Sequence, residues 1–203
     1  MICCFANSLQ RIPESVSSVT LWRIASDAPG YSSDSLGGEG AKITGGRWNR
    51  KGTPLVYLSP SISLACLETL VHLSGGATLP LNRYLIRVAV PEDLWGQRVV
   101  FDGDANVGWD AEPAGLVSLQ WGTNWAQSNT GLLADVPSVV VTEERNVLLN
   151  PAHPDCRLVS AKKIRKWLYD VRLINRPAAA APIAATATVA ATGTRRFTPR
   201  RKK

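Results

Sequence analysis

With 203 residues, 45% apolar content and seven tryptophans, the chain is long enough for one well-buried domain and too apolar for disorder over most of its length. The net charge of +7 suggests nucleic acid until it is located: "RRFTPRRKK", residues 195–203, holds six basic residues, and taking them away leaves a nearly neutral +1. Cys3, Cys4, Cys66 and Cys156 form no C-x-x-C pair and two histidines are too few for a zinc site, which points to a reducing cytosol and no metal.

In chain order, "MICCFANSLQRIPES" lacks the basic and long apolar regions of a signal sequence, so residues 1–19 read as an extension. "TLWRI", residues 20–24, alternates as a short strand. The following "ASDAPGYSSDSLGGEGAKITGG" reads as a structureless loop, and a loop this long is more often functional than decorative. "TPLVYLS" predicts a strand with Leu55 and Tyr57 on one face and Val56 and Leu58 on the other. Ser59 suits an N-cap and Pro60 the first position of a helix through "SISLACLETLVHL" that stops at Gly75-Gly76.

"RYLIRVAVP" predicts a strand closed by Pro91, "PSVVVTEE" another, and "HPDCRLVSAKKIRKWLYDVRLI" a final basic pair of elements. The Trp-rich stretch from Leu94 to Ser128 gives no assignable pattern. Strands and helices alternate without a regular βαβ beat, so the expected class is α+β. "PAAAAPIAATATVAATGT", from Pro177, is uncharged and reads as a linker rather than a membrane span, making residues 174–203 a flexible basic tail.

Between Gly52 and Asn82 the only formally charged side chain is Glu68, and helical spacing sets it beside Leu64 and Val71. A carboxylate among apolar neighbours is a candidate acid, base or electrostatic stabiliser; the alternative is a glutamate paired to an arginine. Arg23, between Trp22 and Ile24, is a buried or cleft-facing guanidinium or a structural ion pair. Arg47, in "GGRWN", has better access to a ligand, and the Tyr57 ring offers a stacking platform. Ser138 reads as the first residue of a strand, with no G-x-S-x-G elbow around it. His72 and His153 are isolated and read as structural.

Taken in order, "LWRIA", "GAKITGGRWNRKGTPLVYLSPSISLACLETLVH", "VPSVVVTEERNVLLNP" and "VRL" closely resemble the RES domain, the toxin half of RES/Xre toxin-antitoxin pairs, over about residues 20–173. The resemblance implies an ADP-ribosyltransferase-like α+β fold with a split, mostly antiparallel sheet, and NAD as substrate. It places the family's arginines on Arg23 and Arg47, its tyrosine on Tyr57, its acid on Glu68 and its serine on Ser138, with Asn146 at a further recurrent position. The implied activity is NAD cleavage at the nicotinamide–ribose bond by hydrolysis or phosphorolysis. Alternatives are ADP-ribosylation of a macromolecule and nucleic-acid binding through the tail. The implied partner is an Xre-type helix-turn-helix antitoxin in the cytoplasm, with a homodimer inside the complex left open.

That chemistry suits the residue types. Breaking the nicotinamide–ribose bond develops oxocarbenium character, which a carboxylate stabilises; arginines clamp a diphosphate, and a cationic ring stacks on tyrosine.

Overall fold

The computed structural model describes residues 17–73 and 79–173. The extension before residue 17, Gly75-Gly76, and the linker and tail after residue 173 lie outside the described residues.

Among the described residues, seven strands form two sheets. The first contains β1 (Ser18–Ser26), β3 (Arg83–Pro91) and β7 (Ser160–Trp167), antiparallel with β3 in the centre. The second runs β2 (Val56–Leu58), β6 (Arg145–Leu149), β5 (Leu133–Pro137) and β4 (Val99–Val100); only β4 pairs in parallel. The helices are α1 (Glu39–Thr44), α2 (Ile62–Leu70), α3 (Glu92–Gly96) and α4 (Leu116–Ser128). This is the α+β, split and mostly antiparallel architecture expected of an ADP-ribosyltransferase-like fold.

Period-two alternation explains the layering. In β3, Ile86, Val88 and Val90 point one way and are fully buried against Val56, Leu58, Leu133, Val147 and Leu149 of the other sheet. Each contributes about 1.5–3 kcal/mol of apolar burial. Leu85 points the other way and packs with Ile24, Ala65 and Tyr169 beneath α2. The outer face of the second sheet, through Ala134, Val136 and Leu148, packs on Trp48, Phe101, Trp125 and Ala126. The predicted alternation of β2 holds: Val56 and Leu58 enter the core between the sheets, while Leu55 and Tyr57 join the Trp-rich core on the other side.

Three sequence expectations need correction. The 25–46 loop contains a helix, α1. The N-cap of α2 is Ser61, whose side chain accepts from Leu64 N, and Ser59 instead exchanges backbone hydrogen bonds with Trp22. The strand near "PSVVVTEE" is β5, which ends at Pro137, so Ser138 lies one residue beyond it. Its hydroxyl accepts from Val140 N and Val141 N, folding the β-branched run into a turn before β6. The unassigned Trp-rich stretch holds α3, β4 and α4. In the final segment, 3-10 turns at Pro154–Leu158 and Val171–Leu173 flank β7.

Gly122 has a packing reason. A Cβ there would lie 2.1 Å from the Trp48 carbonyl oxygen, so glycine lets α4 press against the loop that carries Arg47.

Candidate active site

Glu68 sits on α2, facing the second sheet rather than solvent or an arginine. Its Oε1 accepts from Ser138 Oγ at 2.7 Å and from Asn146 Nδ2 at 2.5 Å. Among the described residues it forms no ion pair, and its partners are a hydroxyl and an amide. Both donors converge on one oxygen, leaving Oε2 without a protein donor among the described residues.

The local folding of each partner dictates this. Ser138 is 1% exposed; its backbone N–H donates to Glu144 O, and its oxygen takes two backbone N–H donors, so its single proton is directed at Glu68. Asn146, near the start of β6, gives Nδ2 to Glu68 while its Oδ1 accepts from Ser59 Oγ at 2.7 Å. Ser59, at the end of β2, is 4% exposed. Three elements therefore meet at one carboxylate, with Ser59 behind Asn146.

Arg23 lies half-buried on β1. Its guanidinium donates one hydrogen bond, to the Ser35 carbonyl at 3.2 Å, and has no ion-pair partner among the described residues. Burial lowers its pKa to about 10, opposed by the charge of Glu39 and more weakly by Tyr31 and Asp34. It stays cationic at neutral pH with donors to spare, the condition for holding an anion.

Arg47 is engaged. It donates to the carbonyls of Trp109 (3.2 Å) and Ala111 (2.9 Å) and pairs with Glu112 at 2.7 Å. Its side chain is only 13% exposed, against 80% for Glu112, so the access expected from the glycine loop is taken by the 109–112 segment.

Tyr57 is fixed by its hydroxyl, which donates to Asn49 Oδ1 at 2.7 Å and accepts from Trp48 N at 3.1 Å. Burial pushes the phenol pKa well up from its ordinary value, with the Trp48 N–H and the Arg47 charge opposing. A Cβ on Gly46 would stand 2.6 Å from the Tyr57 hydroxyl, so the second glycine of "GGRWN" exists to admit the phenol. Asn49, fully buried, also donates to the carbonyls of Ala41, Arg50 and Thr53 and binds the loop to α1.

The structure thus brings Glu68, Ser138 and Asn146 into direct contact and sets Arg47 close enough to Tyr57 for its charge to act on the phenol. Sequence reasoning missed Ser59, because a serine before proline and a helix reads as a cap, and Asn49, whose only signal was its place in "GGRWN". A recess lined by Val99, Trp121, Asn124, Trp125, Ser128 and Thr130 contains none of the candidate residues. His153 is structural, its Nδ1 accepting from Asp155 N at 3.3 Å.

Helices around a split, mostly antiparallel pair of sheets, with a carboxylate fixed by a serine and an asparagine, make this an α+β domain of the ADP-ribosyltransferase-like kind. The RES domain matches residues 20–172, and the chain belongs to that family of toxins. It is 56% identical over 158 residues to "Prs ADP-ribosylating toxin" of Sphingobium sp. (strain YBL2), covering 77% of this chain and 98% of the relative. It is 35% identical over 144 residues (70% and 93%) to "Toxin Res" of Yersinia enterocolitica, and 36% over 147 (71% and 92%) to "Toxin Res" of Photorhabdus laumondii. No helix among the described residues is long and apolar enough to cross a membrane.

Proposed function

We propose that this toxin cleaves NAD at the nicotinamide–ribose bond and passes ADP-ribose to a macromolecular acceptor, and that a helix-turn-helix antitoxin restrains it. The observation that carries the reading is the Glu68 carboxylate, anchored through Oε1 with Oε2 left over. Transfer is preferred to hydrolysis or phosphorolysis because the 56% identical relative is named as an ADP-ribosylating toxin. The bond broken is the same in all three.

The C–N bond breaks with its electron pair moving to the ring nitrogen, which neutralises the pyridinium and frees nicotinamide. Positive charge grows on the ribose carbon, where Glu68 stabilises it. The acceptor's nucleophile then bonds to that carbon, and its proton passes to Oε2. Arg23 supplies free donors for the diphosphate, and the Tyr57 ring, fixed at its hydroxyl, supplies a face for the nicotinamide.

The test is incubation of the full chain with adenylate-labelled NAD and a bacterial lysate. Label on protein or nucleic acid, absent with Glu68→Gln, supports transfer. Label found only as free ADP-ribose or its phosphate makes water or phosphate the acceptor, and no nicotinamide release sinks the reading altogether.

A further inference from the structure

A carboxylate that must work through one particular oxygen needs the other one held, and the group that holds it must itself be oriented. Asn146 is the ambiguous member of the set. An amide presents an acceptor on one side and a donor on the other, and rotating it by half a turn would aim Oδ1 at the acceptor-only Glu68. Nothing in Asn146 itself forbids that rotation. Glu68 opposes it, because a carboxylate only accepts, and Ser59 completes the arrangement: its Oγ lies 2.7 Å from Oδ1 and donates to it, anchoring the amide with Nδ2 directed at Glu68 Oε1.

Ser59 is unusually well placed for this. Its backbone N–H and C=O both pair with Trp22 at 2.8 Å, so its position is set by two strands, and at 4% exposure water does not compete for the hydroxyl. The proton donors run in one direction, from Ser59 to Asn146 to Glu68, and each bond polarises the next. Removing the hydroxyl leaves the backbone pair intact.

We infer that Ser59 is a positioning residue: its hydroxyl anchors the Asn146 amide against Oε1 of Glu68 and thereby keeps Oε2 aimed for the reaction. The inference rests on Glu68 acting on NAD as proposed above.

The experiment measures kcat and KM for nicotinamide release by the full chain carrying Ser59→Ala, Asn146→Ala or both, with melting temperatures alongside. Loss of one oriented hydrogen bond lowers kcat roughly ten-fold, with KM within about two-fold, because the defect lies at the reacting oxygen and not at the diphosphate. The double variant is expected to be no slower than Asn146→Ala alone, since Ser59 acts only through Asn146. Independent losses that multiply, or a Ser59→Ala enzyme as fast as wild type, overturn the inference. Ser59→Thr keeps the hydroxyl and is expected to hold at least about half of the wild-type kcat; a folded threonine variant as slow as alanine also overturns it. An inactive wild type removes the proposed function and this inference together, whereas an active wild type indifferent to Ser59 removes this inference alone.

Discussion

Trp22 and Ser59 exchange two backbone hydrogen bonds of 2.8 Å, and this pair ties the three-stranded sheet to the end of β2 in the four-stranded sheet. Arg23 follows Trp22, and Ser59 is two hydrogen bonds from Glu68, so the cation and the carboxylate are spaced by sheet geometry instead of by a loop. Sites carried on regular elements hold their geometry better than sites on loops.

Glu68→Gln tests the carboxylate in that frame. The amide oxygen of glutamine still accepts from Ser138 and Asn146, so the variant is expected to fold with a melting temperature within a few degrees of wild type. Nicotinamide release should fall by about 100-fold or more, the scale for removing a group aimed at developing charge. Wild-type turnover in this variant would remove Glu68 from the chemistry.

Arg47 presents a competition. Its guanidinium is held by Glu112, an 80% exposed carboxylate, and a diphosphate would have to displace that partner. Glu112→Gln weakens the hold while leaving the carbonyl contacts to Trp109 and Ala111. The expected result is a KM for NAD lower by about two- to five-fold with kcat unchanged, the range of an exposed ion pair. A higher KM would mean that the pair shapes the site and does not compete with the ligand.

Tyr57 separates ring from hydroxyl. Tyr57→Phe removes the bonds to Asn49 and Trp48 and is expected to cost about 1–3 kcal/mol in denaturant unfolding, because buried partners lose their mate. The ring survives, so KM for NAD should change little in the folded fraction. Tyr57→Ala should raise KM as well; equal KM values in the two variants would exclude stacking on this ring.

The legible parts of the chain were those where pattern and packing agree. In β3, alternating apolar residues are the core residues themselves, and Glu68 stood out because no other charge occurs near it. Helix α4 was not legible because its buried face mixes Ser118, Gly122 and Thr123 with Trp125 and Ala126, which blurs the apolar period. It also lacks a side-chain N-cap. β5 was displaced in the reading because it carries Asp135, an acid tolerated in a strand only through Arg98 and Arg145, while the more strand-like "VVV" is bent by the Ser138 hydroxyl. The Ser59 to Asn146 contact spans 87 positions and leaves no local trace.

Asp27 gives a prediction in pH. Its carboxylate accepts from Lys163 Nζ at 2.9 and 3.1 Å and from Ser33 N at 2.7 Å, fastening the 27–35 loop to β7. That loop supplies the Ser35 carbonyl that holds Arg23. Hydrogen bonding from Lys163, then from the Ser33 backbone, lowers the Asp27 pKa from 3.8 to about 2. A folded-state pKa below the unfolded one means that this stabilisation is complete above about pH 4 and disappears as pH falls through about 2. Asp27→Asn lacks it at every pH. The melting temperature of the variant should therefore lie below wild type at neutral pH, and the gap should narrow between about pH 4 and pH 2. The variant should also bind NAD more weakly at neutral pH, since the loop behind Arg23 is released. A gap that stays constant down to pH 2 would mean that the Asp27–Lys163 pair contributes no net stability to the fold.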